Sequence, residues 1–257
     1  MELVKSAGKR TSFVSDVLYV CFNIALAATV LSLVVFGVPL IAYTLVILSK
    51  WRVLAVRPRF WWANIKANLL DLLLGLSMVT MMWQAQDVLW LQIVVAVLYM
   101  LWLVALKPRS TQTAVLVQAA VAQFMAIIAL YSVGFDLIAS VIVVCMWVIG
   151  YVSAQHVLSS YEDSDVTLLS MIWGLVVAEL GWLAYNWTVA YAVAPGGILK
   201  VPQIAVVITL IGFFVIRAYG IYAKKGRLRL ADVKLQAIFS ASIIVVVLIF
   251  LNDISRG

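Results

Sequence analysis

Residues 17–49 run for 33 positions without a charged side chain, and seven further apolar runs of membrane-crossing length follow. Crossing a hydrocarbon core of about 30 Å at 1.5 Å per residue takes about 20 residues of helix. The pattern therefore makes lipid the solvent for most of the chain. Backbone polar groups in lipid have to be satisfied within the segment, and that leaves helices as the structure such runs adopt. Composition points the same way: 66% of the 257 residues are hydrophobic and 11% are charged, against roughly a quarter charged in a soluble domain. The expected fold class is all-α, a polytopic transmembrane helical bundle of about nine segments, with eight as the alternative. Residues 1–257 form a single integral membrane domain on this reading.

The seven later runs are residues 63–83, 88–106, 113–131, 135–154, 166–190, 203–223 and 233–251. The stretch 17–49 is long for one upright helix and short for two, and Gly37-Val38-Pro39 falls inside it. Lys and Arg in short loops are retained on the cytoplasmic side, so their distribution discriminates between the two readings. A hairpin at Gly37 to Pro39 puts fifteen Lys and Arg inside and leaves only Lys200 and Arg256 outside, with Arg217 within a segment. One tilted helix makes the split twelve to five. Nine segments, N-terminus in and C-terminus out, in the cytoplasmic (inner) membrane, is the expectation; eight segments or a re-entrant second piece is the alternative. The basic N-terminus followed by an apolar run reads as an uncleaved anchor, although Ala25-Leu26-Ala27 has the small residues of a cleavage site.

The net charge of +7 belongs to this topology and not to nucleic acid, because the basic residues flank apolar runs. His156 is the single histidine, and Cys21 and Cys145 are isolated within apolar stretches. These counts assemble no His-based triad, bis-histidine haem site or histidine zinc site, so neither metal nor cofactor is expected and enzymatic activity is not. Lys50 followed by Arg57-Pro58 has the spacing of the first lipid-phosphate phosphatase signature, yet the histidine-bearing elements which that chemistry needs are missing. Gly150-Tyr151-Val152-Ser153 has the wrong spacing for a rhomboid-type serine site.

Lys50, Trp51, Arg52, Arg57, Arg59, Trp61 and Trp62 interleave cations with large rings at an expected cytoplasmic boundary. Indoles favour the headgroup layer and cations favour anionic headgroups, so this segment is expected to meet membrane lipid there. The stretch Ser-Lys-Trp-Arg-Val-Leu-Ala-Val-Arg-Pro-Arg-Phe-Trp-Trp-Ala-Asn, residues 49–64, resembles uncharacterised multi-pass membrane proteins of reduced-genome bacteria. The resemblance covers about a tenth of the chain and implies a multi-pass bacterial membrane protein, with no activity attached.

Ionisable residues within spanning helices cost roughly 2.5 to 3.5 kcal/mol each, which makes Asp71, Glu179 and Arg217 site hypotheses by default. Asp71 and Arg217 lie at similar depths from the cytoplasmic ends of their segments, about 10 to 12 Å. An Asp71 to Arg217 ion pair is the expected arrangement. Glu179, about 20 Å deep, has no depth-matched cation. Asn64, Asn68, Asp71 and Gly75 share one helical face, as do Glu179, Trp182 and Asn186. Convergence of the two stripes would give a polar path of Glu179, Asn186, Asp71 and Asn68, and with it a small permease or channel. The alternative reading is a non-catalytic membrane subunit or scaffold, binding lipid, a partner membrane protein or further copies of itself. Gly174 and Ala178 have the small-residue spacing of a helix-packing seam. The acidic loop Glu162, Asp163, Asp165 reads as a solvated turn before a helix.

Overall fold

The computed structural model describes residues 2–250 apart from 56, 135–136, 162–164, 187–189 and 193–199; for 2–12, 52, 190–192, 200 and 250 it describes the backbone. The fold is the expected helical bundle. Nine helices occur among the described residues: α1 (Glu2–Val35), α2 (Pro39–Leu48), α3 (Trp61–Gln84), α4 (Leu89–Leu101), α5 (Gln112–Gly134), α6 (Ala139–Leu158), α7 (Val166–Asn186), α8 (Gln203–Lys225) and α9 (Leu230–Phe250). Eight are long and apolar enough to cross a membrane, and α2, with 10 residues, is not.

The break between α1 and α2 follows from local chemistry. Gly37 takes a left-handed φ of 75°, the conformation that ends helices and that glycine adopts without steric cost. Its N–H donates to Val34 O and that of Val38 to Leu33 O, which satisfies carbonyls that the helix end would otherwise strand in lipid. Pro39 then opens α2 at a position where its missing N–H costs nothing.

From this turn α2 runs antiparallel to α3. Tyr43 Oη meets Thr80 Oγ1 at 2.8 Å, a methyl at Gly75 would touch Val46 Cγ1, Lys50 reaches Asp71, and Leu54 O accepts from Trp61 Nε1 at 3.1 Å. The second piece is thus a half-length helix of about 15 Å, continued by a 3-10 turn at Trp51–Val53. The chain turns back at Gly37 to Pro39, as the hairpin reading expects, but the second piece is too short to cross, so eight of the nine described helices are of spanning length.

α4 continues into a π turn at Trp102–Leu106, with Lys107 N donating to Trp102 O. α3 and α5 form the centre, packed against each other and against α4, α6 and α8. Leu74, Met78, Met82, Tyr99, Ile127, Tyr131 and Met146 are fully buried there. α6 and α7 make the closest pair. A methyl added at Gly174 would lie 2.9 Å from Trp147 O, and one at Gly181 would lie 2.6 Å from Met146 Cγ. Ala178 is buried on the same side, so the small-residue stripe is a packing seam.

One feature of the fold departs from the sequence reading. The apolar run to Ala190 stops being helical at Asn186, and β1 (Ala190–Ala192) pairs antiparallel with β2 (Lys200–Pro202). The Tyr and Val of these short strands are β-formers. Pro195-Gly196-Gly197, Asp163 and Arg256 lie outside the described residues.

Candidate functional site

Asp71, on the inward face of α3, is buried and receives three donors. Lys50 Nζ and Lys107 Nζ both bind Oδ2, the latter at 2.7 Å, and Trp102 Nε1 donates to Oδ1 at 2.9 Å. In an α-helix, residues five apart point about 140° away from each other. The wider i→i+5 turn at Trp102–Leu106 instead lets Trp102 and Lys107 serve one carboxylate. Burial disfavours the Lys107 ammonium, but attraction to the Asp71 carboxylate outweighs it and holds Lys107 above the ordinary lysine value.

The carbonyls disturbed by the π turn find side-chain donors. Tyr19 Oη donates to Leu103 O at 3.1 Å, and Gln118 Nε2 lies 2.7 Å from Leu106 O and 2.9 Å from Arg109 O. Gln118 Oε1 in turn meets His156 Nε2 at 2.9 Å, and Gln92 Nε2 donates to Met82 O in the last turn of α3. The intramembrane glutamines at 92 and 118 thus satisfy helix ends, and the single histidine meets the side chain of Gln118.

The expected Asp71 to Arg217 pair does not form. Depth along the membrane is one coordinate and lateral adjacency is another. α8, which carries Arg217, packs on α5 and α9, while Asp71 faces α2 and α4. Lys50, expected at the lipid interface, points inward and is 12% exposed. The remaining members of that segment surround the start of α3. Trp51, Trp61, Trp62, Arg57 and Arg59 are exposed, Arg59 lies over the Phe60 ring at 4.5 Å, and Lys66 over Trp62 at 5.3 Å. The side chain of Arg52 lies outside the described residues.

The four residues of the expected polar path are not brought together. Asn68 is half-buried and donates to Asn64 O within its own helix, at the start of α3 near the Asp71 cluster. Glu179 and Asn186 instead face outward on α7, with exposed Leu175 and Trp182 beside them. Asn186 Nδ2 donates to Trp182 O at 2.9 Å. Glu179 makes no ion pair or side-chain hydrogen bond among the described residues.

The space that a ligand would fill lies elsewhere. A cavity of about 760 Å³ opens between α5, α6, α7, α8 and α9, within the roughly 300–1,000 Å³ of small-molecule sites. Its walls are apolar, with Val117, Ile172 and Phe213 exposed at its opening, and α7 and α8 make few contacts with each other. Its floor is polar. Gln123 Oε1 accepts from Ser153 Oγ at 2.5 Å and from Trp173 Nε1 at 3.2 Å, and Gln123 Nε2 makes no hydrogen bond among the described residues. A methyl at Gly212 would stand 3.8 Å from that nitrogen. Arg217, about 7.5 Å further along α8, is the single charged residue of the lining and makes no ion pair among the described residues. Sequence reasoning placed Gln123 and Arg217 on separate segments, and no spacing signal joins residues from five helices. Among the described residues no group of three or more His, Cys, Asp or Glu is placed to hold a metal ion. Compared with family models, curated proteins and solved structures, the chain matches none.

Proposed function

We propose that this integral membrane protein is a small permease-like carrier that takes an amphipathic molecule from the bilayer into the cavity between α5 and α9. The observation that carries the reading is the division of the cavity lining. Its walls are mainly apolar, Gln123 presents an amide to it, and Arg217 is its only charged residue among the described ones. An apolar site with a few convergent polar groups is the usual form of a ligand pocket. A guanidinium that pairs with no carboxylate among the described residues is suited to an anionic headgroup, to which it makes charge-assisted, bidentate hydrogen bonds. The path through Glu179 and Asp71 gives way to this cavity, because Asp71 is buried and bound by Lys50, Lys107 and Trp102 whereas Glu179 is exposed on α7.

The test uses protein reconstituted in phosphatidylcholine vesicles and a fluorescent fatty acid, with its methyl ester as the uncharged control. Saturable binding of the acid is expected, weakened about tenfold by Arg217→Met, the loss of one charge-assisted contact. Ala120→Phe, which fills the cavity, is expected to abolish binding of both probes. Extraction of the probe by albumin then measures movement between leaflets. Binding unaffected by Ala120→Phe overturns the site, and binding without protein-dependent movement overturns the carrier while leaving a lipid-binding subunit. That second reading has its own support in the exposed aromatic and basic side chains at the start of α3, which suit anionic headgroups.

A further inference from the structure

Gln123 stands eleven residues along α5 from Gln112, about 16 Å into the bundle, and is 4% exposed. Its neighbours on α6 and α7 fix which way the amide faces. Trp173 Nε1 can only donate, so the atom 3.2 Å from it has to be the Gln123 oxygen. Ser153 Oγ lies 2.5 Å from the same oxygen. The nitrogen is left on the cavity side, beside Gly212, and its two N–H groups meet no acceptor among the described residues. The nearby Thr209 hydroxyl is already spent on Ala205 O at 2.7 Å. What the deep part of the cavity offers a ligand is therefore a fixed, unused donor.

A buried N–H left without an acceptor is costly. A saturated chain packed against Gln123 would exclude water and return no hydrogen bond. On the reading of this cavity as the site of an amphipathic anion, we infer that the ligand carries an oxygen acceptor part-way along its chain, as a keto acyl chain does. Arg217 holds the charged group, and Gln123 Nε2 donates to the chain oxygen. Trp173 and Ser153 are positioning residues, because they keep the amide from turning over. Gly212 and Arg217 are five residues apart on α8, about 7.5 Å. An extended chain covers that distance in about six bonds, at roughly 1.2 Å per bond. The acceptor thus belongs in the first half of a long chain and not at its end. A site built to bond a polar group of its ligand rejects the analogue that lacks it, because the protein's own donor is then left unpaired.

The test uses the full chain in phosphatidylcholine vesicles, with uptake by protein-free vesicles subtracted. Hexadecanoic acid is titrated against two keto derivatives, one with its carbonyl about six bonds from the carboxyl group and one with it beside the terminal methyl. The first keto acid is expected to bind about tenfold more tightly than the saturated acid, the gain of one buried hydrogen bond, and the second no more tightly. Its isotope-labelled ketone band is expected to move to lower frequency on binding. Gln123→Leu is expected to abolish both the shift and the preference while still binding the saturated acid. Arg217→Met is expected to weaken all three acids and keep the preference. Equal binding of the first keto acid and the saturated acid, an equal gain from both keto acids, or an unshifted band overturns the inference and leaves the ligand site standing. Survival of the preference in Gln123→Leu does the same. Binding of none of the acids, or binding that Ala120→Phe leaves unchanged, overturns the site and the inference together. If Gln123→Leu fails to fold, the wild-type series and the ketone band decide.

Discussion

At the scale of single residues, Asp71 has the largest consequence for stability. One carboxylate neutralises two lysines whose side chains are 12% and 30% exposed. Removing one partner of a buried ion pair leaves uncompensated charge and costs about 3 to 5 kcal/mol. Asp71→Asn is therefore expected to lower the thermal unfolding midpoint in detergent strongly. Arg217→Met, by contrast, is expected to leave the midpoint unchanged, since its guanidinium pairs with no carboxylate among the described residues. A double-mutant cycle separates the two arrangements: coupling between positions 50 and 71 and none between 71 and 217 is the expected result, and the reverse would restore the depth-matched pair. The sequence made Asp71 legible as an inward group, because Asn68, Asp71 and Gly75 fall on one face. Its partners were not legible. Lys50 and Lys107 stand at segment boundaries, where basic residues are ordinarily topology signals, and only the half-length α2 and the π turn bring them in.

At the scale of elements, helix existence was readable throughout, since lipid leaves apolar runs no other structure. The Gly174 and Ala178 seam was readable for a related reason, as helices in lipid gain little from hydrophobicity and associate by close approach at small residues. Gly174→Ala places a methyl 2.9 Å from the Trp147 carbonyl, a backbone atom that cannot rotate away. The α6–α7 pair has to part, and a destabilisation of about 1 to 3 kcal/mol is expected. Gly212→Ala is the control, because its methyl would meet nothing closer than Trp173 Cζ2 at 3.4 Å, an ordinary van der Waals contact, and its unfolding midpoint is expected to stay close to wild type. A similar loss in both variants would point to a general cost of the added side chain and not to the seam. The shortness of α2 and the β1–β2 ribbon were not readable. A left-handed Gly37 ends one helix without setting the length of the next, and the apolar composition after Asn186 suits a strand as well as a helix.

At the scale of the whole molecule, contacts sort the connections between helices into two ends. Tyr19 with Leu103, Gln118 with Leu106 and Arg109, and His156 with Gln118 gather the first half of α1, the α4–α5 connection and the end of α6 at one end. Tyr161 stacks edge-on with Tyr219, which brings the α8–α9 connection there too. The turn between α3 and α4 lies at the other end, where Gln92 reaches Met82 O. Arg57, Arg59, Lys66, Arg109, Lys224, Lys225, Arg227 and Arg229 all belong to the first end, and the opposite α3–α4 turn carries Asp87 and no cation. Basic residues in short loops are retained in the cytoplasm, so this end is expected to face it. In chain carrying Cys21→Ser and Cys145→Ala, a membrane-impermeant maleimide applied to intact cells is expected to label Gln86→Cys. Arg227→Cys is expected to react only after the cells are opened. Both positions are exposed, so accessibility of the side chain does not bias the comparison. The opposite labelling pattern would invert the protein in the membrane while leaving the bundle as described. The headgroup-facing Arg217 end of the cavity would then open towards the outer leaflet instead of the inner one.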